Sequence, residues 1–218
     1  MKSKSKIPSP LLFQVFDVKP RKSDARKVKI MEAVIECVAT KGLEETTFDA
    51  IGKMVKMERT HVNYYFANRK ELIKTAVRYA IALGQEITIQ HVRKANTWRE
   101  RLTAVIEGPF EWLEVYPKHT SILALFYYLC SYDEEFHALQ TMIQTGGEER
   151  LASSFQSLVE SEKLSAAQAT DLARTIQSLM AGNLHFYYSC EYPLSLKQLK
   201  AKTVQISLNL ADAALTPQ

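Results

Sequence analysis

Residues 58–66, Glu-Arg-Thr-His-Val-Asn-Tyr-Tyr-Phe, crowd Arg59, Thr60, His61, Asn63, Tyr64 and Tyr65 around two clear core side chains, Val62 and Phe66. Solubility would be served better by Glu or Lys, so the choice of residues points to recognition. An Arg guanidinium can give two hydrogen bonds to guanine, Asn can pair with adenine, and Thr or His can reach base edges or phosphate. Tyr hydroxyls and basic side chains hold phosphates without reading sequence. That chemistry needs one exposed helical face. Val62 and Phe66 stand four residues apart and form a narrow buried stripe, which turns Arg59, Thr60, His61, Asn63 and Tyr64 outward with Tyr65 flanking.

The elements that must hold this face are legible in the apolar periodicity. Few glycines and prolines punctuate the chain, strand-like alternation is almost absent, and helical periodicity is nearly continuous, so the fold is expected to be all-α with about nine helices. A helix is expected from about Ser23 to Lys41, closed by Gly42. Thr47 caps a short helix carrying Phe48, Ile51, Met54 and Val55. A break at Lys56-Met57 leads into a second short helix, roughly Glu58 to Phe66. Asn68, followed three residues later by Glu71, opens a long helix reaching about Val92. Two short helices joined by a tight turn and packed on longer ones form a helix-turn-helix, whose second helix fits the major groove of B-DNA.

Residues 46–73, TTFDAIGKMVKMERTHVNYYFANRKELI, resemble the DNA-binding signature of the TetR family of transcriptional regulators. The resemblance rests on Thr47 opening a helix, Ile51-Gly52, the turn at Lys56-Met57, Asn63-Tyr64-Tyr65-Phe66, and Asn68-Arg69-Lys70-Glu71-Leu72. It covers roughly residues 24–75. It implies a DNA-binding set of Thr47, Lys56, Arg59, Thr60, His61, Asn63, Tyr64 and Arg69. The chain departs from the family pattern where Lys56-Met57-Glu58 replaces Gly-Val-Ser. Lys56 must adopt or avoid a left-handed conformation that costs about 1 kcal/mol relative to glycine. Asn63 also replaces a common Tyr, which moves the expected phosphate contact to Tyr64.

Charge placement fits a polyanionic partner and, equally, a solvated basic tail. Residues 1–72 carry fifteen Lys and Arg against nine Asp and Glu, and the remainder thirteen against fifteen. Lys2, Lys4, Lys6, Lys19, Arg21 and Lys22 make residues 1–22 a basic tail, interrupted by the apolar segment PLLFQVF. No apolar run is long enough to span a bilayer, so no membrane partner is expected. Cys37, Cys130 and Cys190 are widely spaced, which argues against a disulfide framework or a zinc site and suits a reducing cytoplasm. Neither cofactor nor metal is expected.

The organisation read from the sequence is a tail (1–22), a three-helix DNA-binding domain (23–75) with its bridging helix at about 68–92, and a helical domain (93–218). In the last, helices are expected from Thr97, across TSILALFYYLC, from Asp133 to about Ser161 with an interruption at Gly146-Gly147, at Ser165–Ser189 and at Ser195–Ala214. The family resemblance implies a homodimer on a pseudo-palindromic operator and a small-molecule effector bound in the C-terminal domain. Apolar stripes on the last two helices, Leu172, Ile176, Leu179 and Leu199, Thr203, Ile206, Leu210, fit a dimer-forming four-helix bundle or each helix's own core. Trp112, Phe126, Tyr127, Cys130, Met180, Asn183 and Tyr187 are the candidates for an effector pocket. One rival is a dimeric DNA-binding protein that takes no effector. The other is an all-α enzyme using His119, His137 or His185, for which no metal-binding or nucleophile motif speaks.

Overall fold

A computed structural model describes residues 22–216. Residues 1–21, with the PLLFQVF segment, lie outside the described residues, and Lys22, expected in the tail, begins the first helix. Among the described residues there are ten helices and no strand: α1 (Lys22–Lys41), α2 (Phe48–Val55), α3 (Arg59–Tyr65), α4 (Arg69–Val92), α5 (Trp98–Val115), α6 (His119–Cys130), α7 (Glu134–Ser153), α8 (Gln156–Glu160), α9 (Ala166–Ser189) and α10 (Leu196–Leu215).

Local chemistry accounts for most of these boundaries. Gly42, at φ +82°, ends α1 with its N–H on the Val38 carbonyl at 3.1 Å. Asn68 Oδ1 accepts from the Glu71 N–H at 2.9 Å and caps α4. At α5 the Thr97 hydroxyl accepts from the Glu100 N–H, and the Glu100 carboxylate accepts from the Thr97 N–H at 3.1 Å. The backbone N–H groups of Asn96 and Thr97 hold that carboxyl below its usual range. Ser165 with Gln168 and Ser195 with Gln198 build the same reciprocal box at α9 and α10. α5 carries Pro109 without ending.

The interruption expected at Gly146-Gly147 is absent, because α7 runs through both glycines. Gly147 leaves room for a side chain of another helix. A Cβ there would stand 2.5 Å from Oε1 of Gln177 on α9, whose Nε2 donates to the Gln144 carbonyl at 3.0 Å. The helix ends instead at Ser153, and the short α8 that follows makes ten helices where about nine are expected.

The chain divides into two compact units, one of residues up to Glu86 with Tyr116–Phe136, the other of Ile87–Val115 with His137–Gln218. The division falls within α4 and within α7. In the first unit α1 buries Ile30, Met31, Val34, Ile35, Cys37 and Val38 and packs on α2 and α6. Leu72, Ala76 and Val77 of α4 are also buried there, and each such side chain contributes about 1.5–3 kcal/mol if larger than alanine. Tyr79 of α4 donates its hydroxyl to Glu32 of α1 at 3.2 Å; burial, with Glu32 beside it, pushes that phenol well above its ordinary range. His119, at the start of α6, is buried and stacked on Tyr116 at 4.9 Å. Burial pushes its imidazole down to about 4, so it is neutral at physiological pH.

In the second unit α5 packs on α10 and α8, and α9 packs on α10. Leu102, Ile106, Phe110, Leu151, Phe155, Ile176 and Leu199 form its core. Ile176, Leu199 and Thr203, expected at a dimer interface, are completely or almost completely buried within this unit. Thr203 accepts a hydrogen bond from Asn183 Nδ2 at 2.8 Å and donates its own to the Leu199 carbonyl. These three positions belong to the protomer's core, since nothing remains on them for a partner to cover.

Candidate nucleic-acid interface

The helix-turn-helix is assembled from a cap, a close approach and a strained turn. Thr47 Oγ1 accepts from the Ala50 N–H at 3.2 Å and starts α2, leaving the hydroxyl proton available to an outside acceptor. Ile51 points into the core with no exposed surface. At Gly52 the turn passes so near that a Cβ would stand 2.6 Å from the Met57 carbonyl oxygen. Lys56 takes the left-handed conformation, φ 56° and ψ 47°, which lets the Met57 N–H reach back to the Gly52 carbonyl at 2.8 Å. This is the hydrogen-bonded ending that glycine ordinarily supplies, made here by a lysine.

Glu58 then stands at the N-cap of α3 in extended conformation, without a side-chain cap. Its carboxylate accepts from the Thr60 hydroxyl at 3.4 Å. Val62 is wholly buried and Phe66 nearly so, while Arg59, Thr60, His61, Asn63 and Tyr64 are all exposed. Tyr64 is 82% exposed, and its ring meets Tyr65 edge-on at 5.3 Å. The polar face of α3 therefore stands in solvent with Thr47, Lys53 and Lys56, also exposed, in the same unit.

Two residues take positions that sequence spacing did not suggest. Arg69 belongs to the DNA-binding set that the family resemblance implies. Its guanidinium instead donates to the Thr46 carbonyl at 3.0 Å and to the Leu43 carbonyl, tying the α1–α2 turn to the start of α4. Asp49, in the first turn of α2, sets its Oδ2 3.2 Å from Arg59 Nη1. Neither partnership has a local signature, since the partners are separated by ten residues or more.

Behind α3, the first turns of α4 are held by charge. Lys70 lies 2.8 Å from both Asp133 and Glu135, and Lys74 lies 2.7 Å from Glu71 and 2.8 Å from Glu135. The hydrogen bonds to Asp133 and then Glu135 raise Lys70 well above the usual lysine range, and the same bonds lower both carboxyls. Cations near a helix N-terminus oppose its dipole, and these acids offset that.

The residues put forward for an effector pocket are divided between the units. Trp112, Met180, Asn183 and Tyr187 fall in the second and Phe126, Tyr127 and Cys130 in the first. Trp112, Phe126 and Met180 are buried, and Tyr127 is exposed. Asn183 is engaged with Thr203, Tyr187 lies edge-on to Tyr192 at 6.5 Å, and the Cys130 thiol donates to the Phe136 carbonyl at 3.4 Å. Of the dimer candidates, Leu172, Leu179 and Ile206 keep part of their surface and Leu210 is exposed. Phe186, seven residues after Leu179, is 56% exposed.

Residues 30–76 match the family described as bacterial regulatory proteins, tetR family. The HTH-type transcriptional regulator BetI of Yersinia pestis (strain Pestoides F) is 28% identical over 88 residues, 39% of this chain and 44% of that protein. The match thus spans less than half the length of this curated relative. Among solved structures, a transcriptional regulator of Pseudomonas aeruginosa PAO1 superposes with a TM-score of 0.74 at 16% identity, over 89% of this chain and 92% of that one. One from Saccharomonospora viridis, solved in complex with choline, gives 0.73 at 14% identity, over 83% and 94%. At such identities the likeness is one of fold.

Proposed function

We propose that this chain, a member of the TetR family of transcriptional regulators, is a homodimeric, cytoplasmic repressor that reads a pseudo-palindromic operator with α3 and is released by a small-molecule effector. The observation that carries the reading is the exposed polar face of α3 above a fully buried Val62. Arg59, His61 and Asn63 read base edges in the major groove, while Thr47, Lys56, Thr60 and Tyr64 hold phosphates and fix the register. Arg69 is left out of this set, because its guanidinium is engaged on backbone carbonyls.

The remaining parts are read from the second unit. Leu172, Leu179 and Phe186 lie seven residues apart on α9, and Ile206 and Leu210 four apart on α10, with surface left to cover. Pairing of these two stripes with their copies across a two-fold axis gives the dimer. Helices from residue 93 onward take the effector, with Trp112, Met180 and Tyr187 among its apolar walls. The choline held by the Saccharomonospora viridis protein supports a small-molecule ligand for this fold without naming the one used here.

Capture of genomic fragments on the full-length chain, followed by binding to the enriched duplex across a salt series, tests the reading. Affinity falls steeply with salt and the enriched sequence is near-palindromic. Tyr64→Phe weakens binding to all duplexes alike, whereas Asn63→Ala narrows the gap between enriched and scrambled DNA. A chain that enriches no sequence refutes the proposal.

A further inference from the structure

We propose that Asp49 is a positioning residue for sequence recognition: its carboxylate holds one edge of the Arg59 guanidinium so that the other edge meets a guanine. This rests on the DNA-reading role of α3 given above. Asp49 Oδ2 lies 3.2 Å from Arg59 Nη1, and the two side chains are 57% and 62% exposed. An exposed pair of this kind adds little to the fold. On a surface that meets phosphates, a carboxylate also repels the ligand, so its presence there calls for a return in recognition.

The geometry supplies one. Arg has a rigid planar fork of five N–H donors, and a partner on Nη1 leaves the Nε–Nη2 edge intact. Two donors in that plane match O6 and N7 of guanine. Among the described residues, Asp49 is the only side-chain hydrogen-bond partner of the Arg59 guanidinium. Asp49 is itself anchored in the first turn of α2, where a helix N-terminus favours an anion, and α2 is joined to α3 by the close turn at Gly52 and Met57. The buttress therefore orients a long side chain before DNA arrives and lowers the entropy lost on binding.

The test uses the full-length chain, a duplex enriched by the wild type from a random pool, and a scrambled duplex of equal length at fixed salt. Asp49→Asn lowers the ratio of enriched to scrambled affinity by about tenfold. The same change raises affinity for the scrambled duplex, because a negative charge has gone from the contact surface. These opposite movements are the signature. Loss of both affinities marks a structural role, and an equal gain in both marks plain repulsion; either result overturns the proposal. In an Arg59→Lys background, which removes the planar fork, Asp49→Asn leaves the ratio unchanged. A tenfold fall there too would show Asp49 acting without Arg59 and would overturn it. A wild type that enriches no sequence sinks the DNA-reading role as well, so the two failures are distinguishable.

Discussion

Acidification should loosen the first unit through one buried side chain. His119 is 5% exposed, and burial holds its imidazole at about 4 against an ordinary 6.5. The folded chain keeps it neutral over an interval in which the unfolded chain takes up a proton. Above pH 6.5 neither state is protonated and no stability is lost. Between 6.5 and 4 the unfolded state binds more protons, so stability falls with pH, by about 2 kcal/mol at pH 5 and about 3 kcal/mol below pH 4. The lowered carboxyls of Asp133 and Glu135 act in the same direction but only in and below their usual range, so His119 dominates at pH 5. Both tryptophans, Trp98 and Trp112, lie in the second unit and do not report on the first. Urea titrations at pH 7.5 and pH 5, followed by amide exchange in α1 and α6, supply the readout. His119→Phe keeps a ring against Tyr116 and His119→Gln keeps a polar group, and both lack the titration. Their first-unit stabilities should be flat across this interval. If either variant loses as much as the wild type, the acid sensitivity has another source.

Helix propensity alone predicts that Gly52→Ala stabilises by about 1 kcal/mol, whereas overlap with the fixed Met57 carbonyl predicts a loss of about 1–3 kcal/mol; chemical denaturation gives the sign. Lys56→Gly should stabilise by about 1 kcal/mol by relieving the left-handed conformation, and weaken binding to all duplexes alike if the lysine holds a phosphate. Lys70→Glu should set a carboxylate against Asp133 and Glu135, loosen the start of α4 and lower DNA affinity, as read by a salt series. Phe186→Glu should leave a folded monomer in sedimentation, whereas Ile176→Ala should cost about 2–5 kcal/mol of stability.

The helices were legible because their cues are local. Thr47, Asn68, Thr97, Ser165 and Ser195 cap the helices that their sequence context predicts, and the apolar steps of α1 and α4 face the core of the first unit. The departures occur where a distant partner decides. Gly146-Gly147 has the composition of a break, yet the helix runs through both, and the space beside Gly147 is taken by Gln177 of another helix. α8 has only five residues, too few for a 3.6-residue period to show. An apolar stripe likewise reveals that a face is covered but not by what. Ile176 and Leu199 are covered by their own unit, while Phe186 on the same helix as Ile176 is not.

The same distinction runs through the reading head. The outward face of α3 could be recognised because polar or aromatic residues fill it on both sides of Val62, and Val62 and Phe66 fix the phase of the helix. Arg69, in contrast, has the composition of a phosphate contact and serves backbone carbonyls 23 and 26 residues away. Lys70 finds its acids 63 and 65 residues on, beyond any local pattern. Lys56 is where local preference and structure conflict openly. A glycine would take φ 56° without strain, and the lysine accepts about 1 kcal/mol to place a cation there. Conflicts of that kind concentrate at functional positions, because selection for a contact can outweigh a local conformational cost. Under the proposed function that exposed lysine, on the turn into the polar helix, is placed to meet a phosphate.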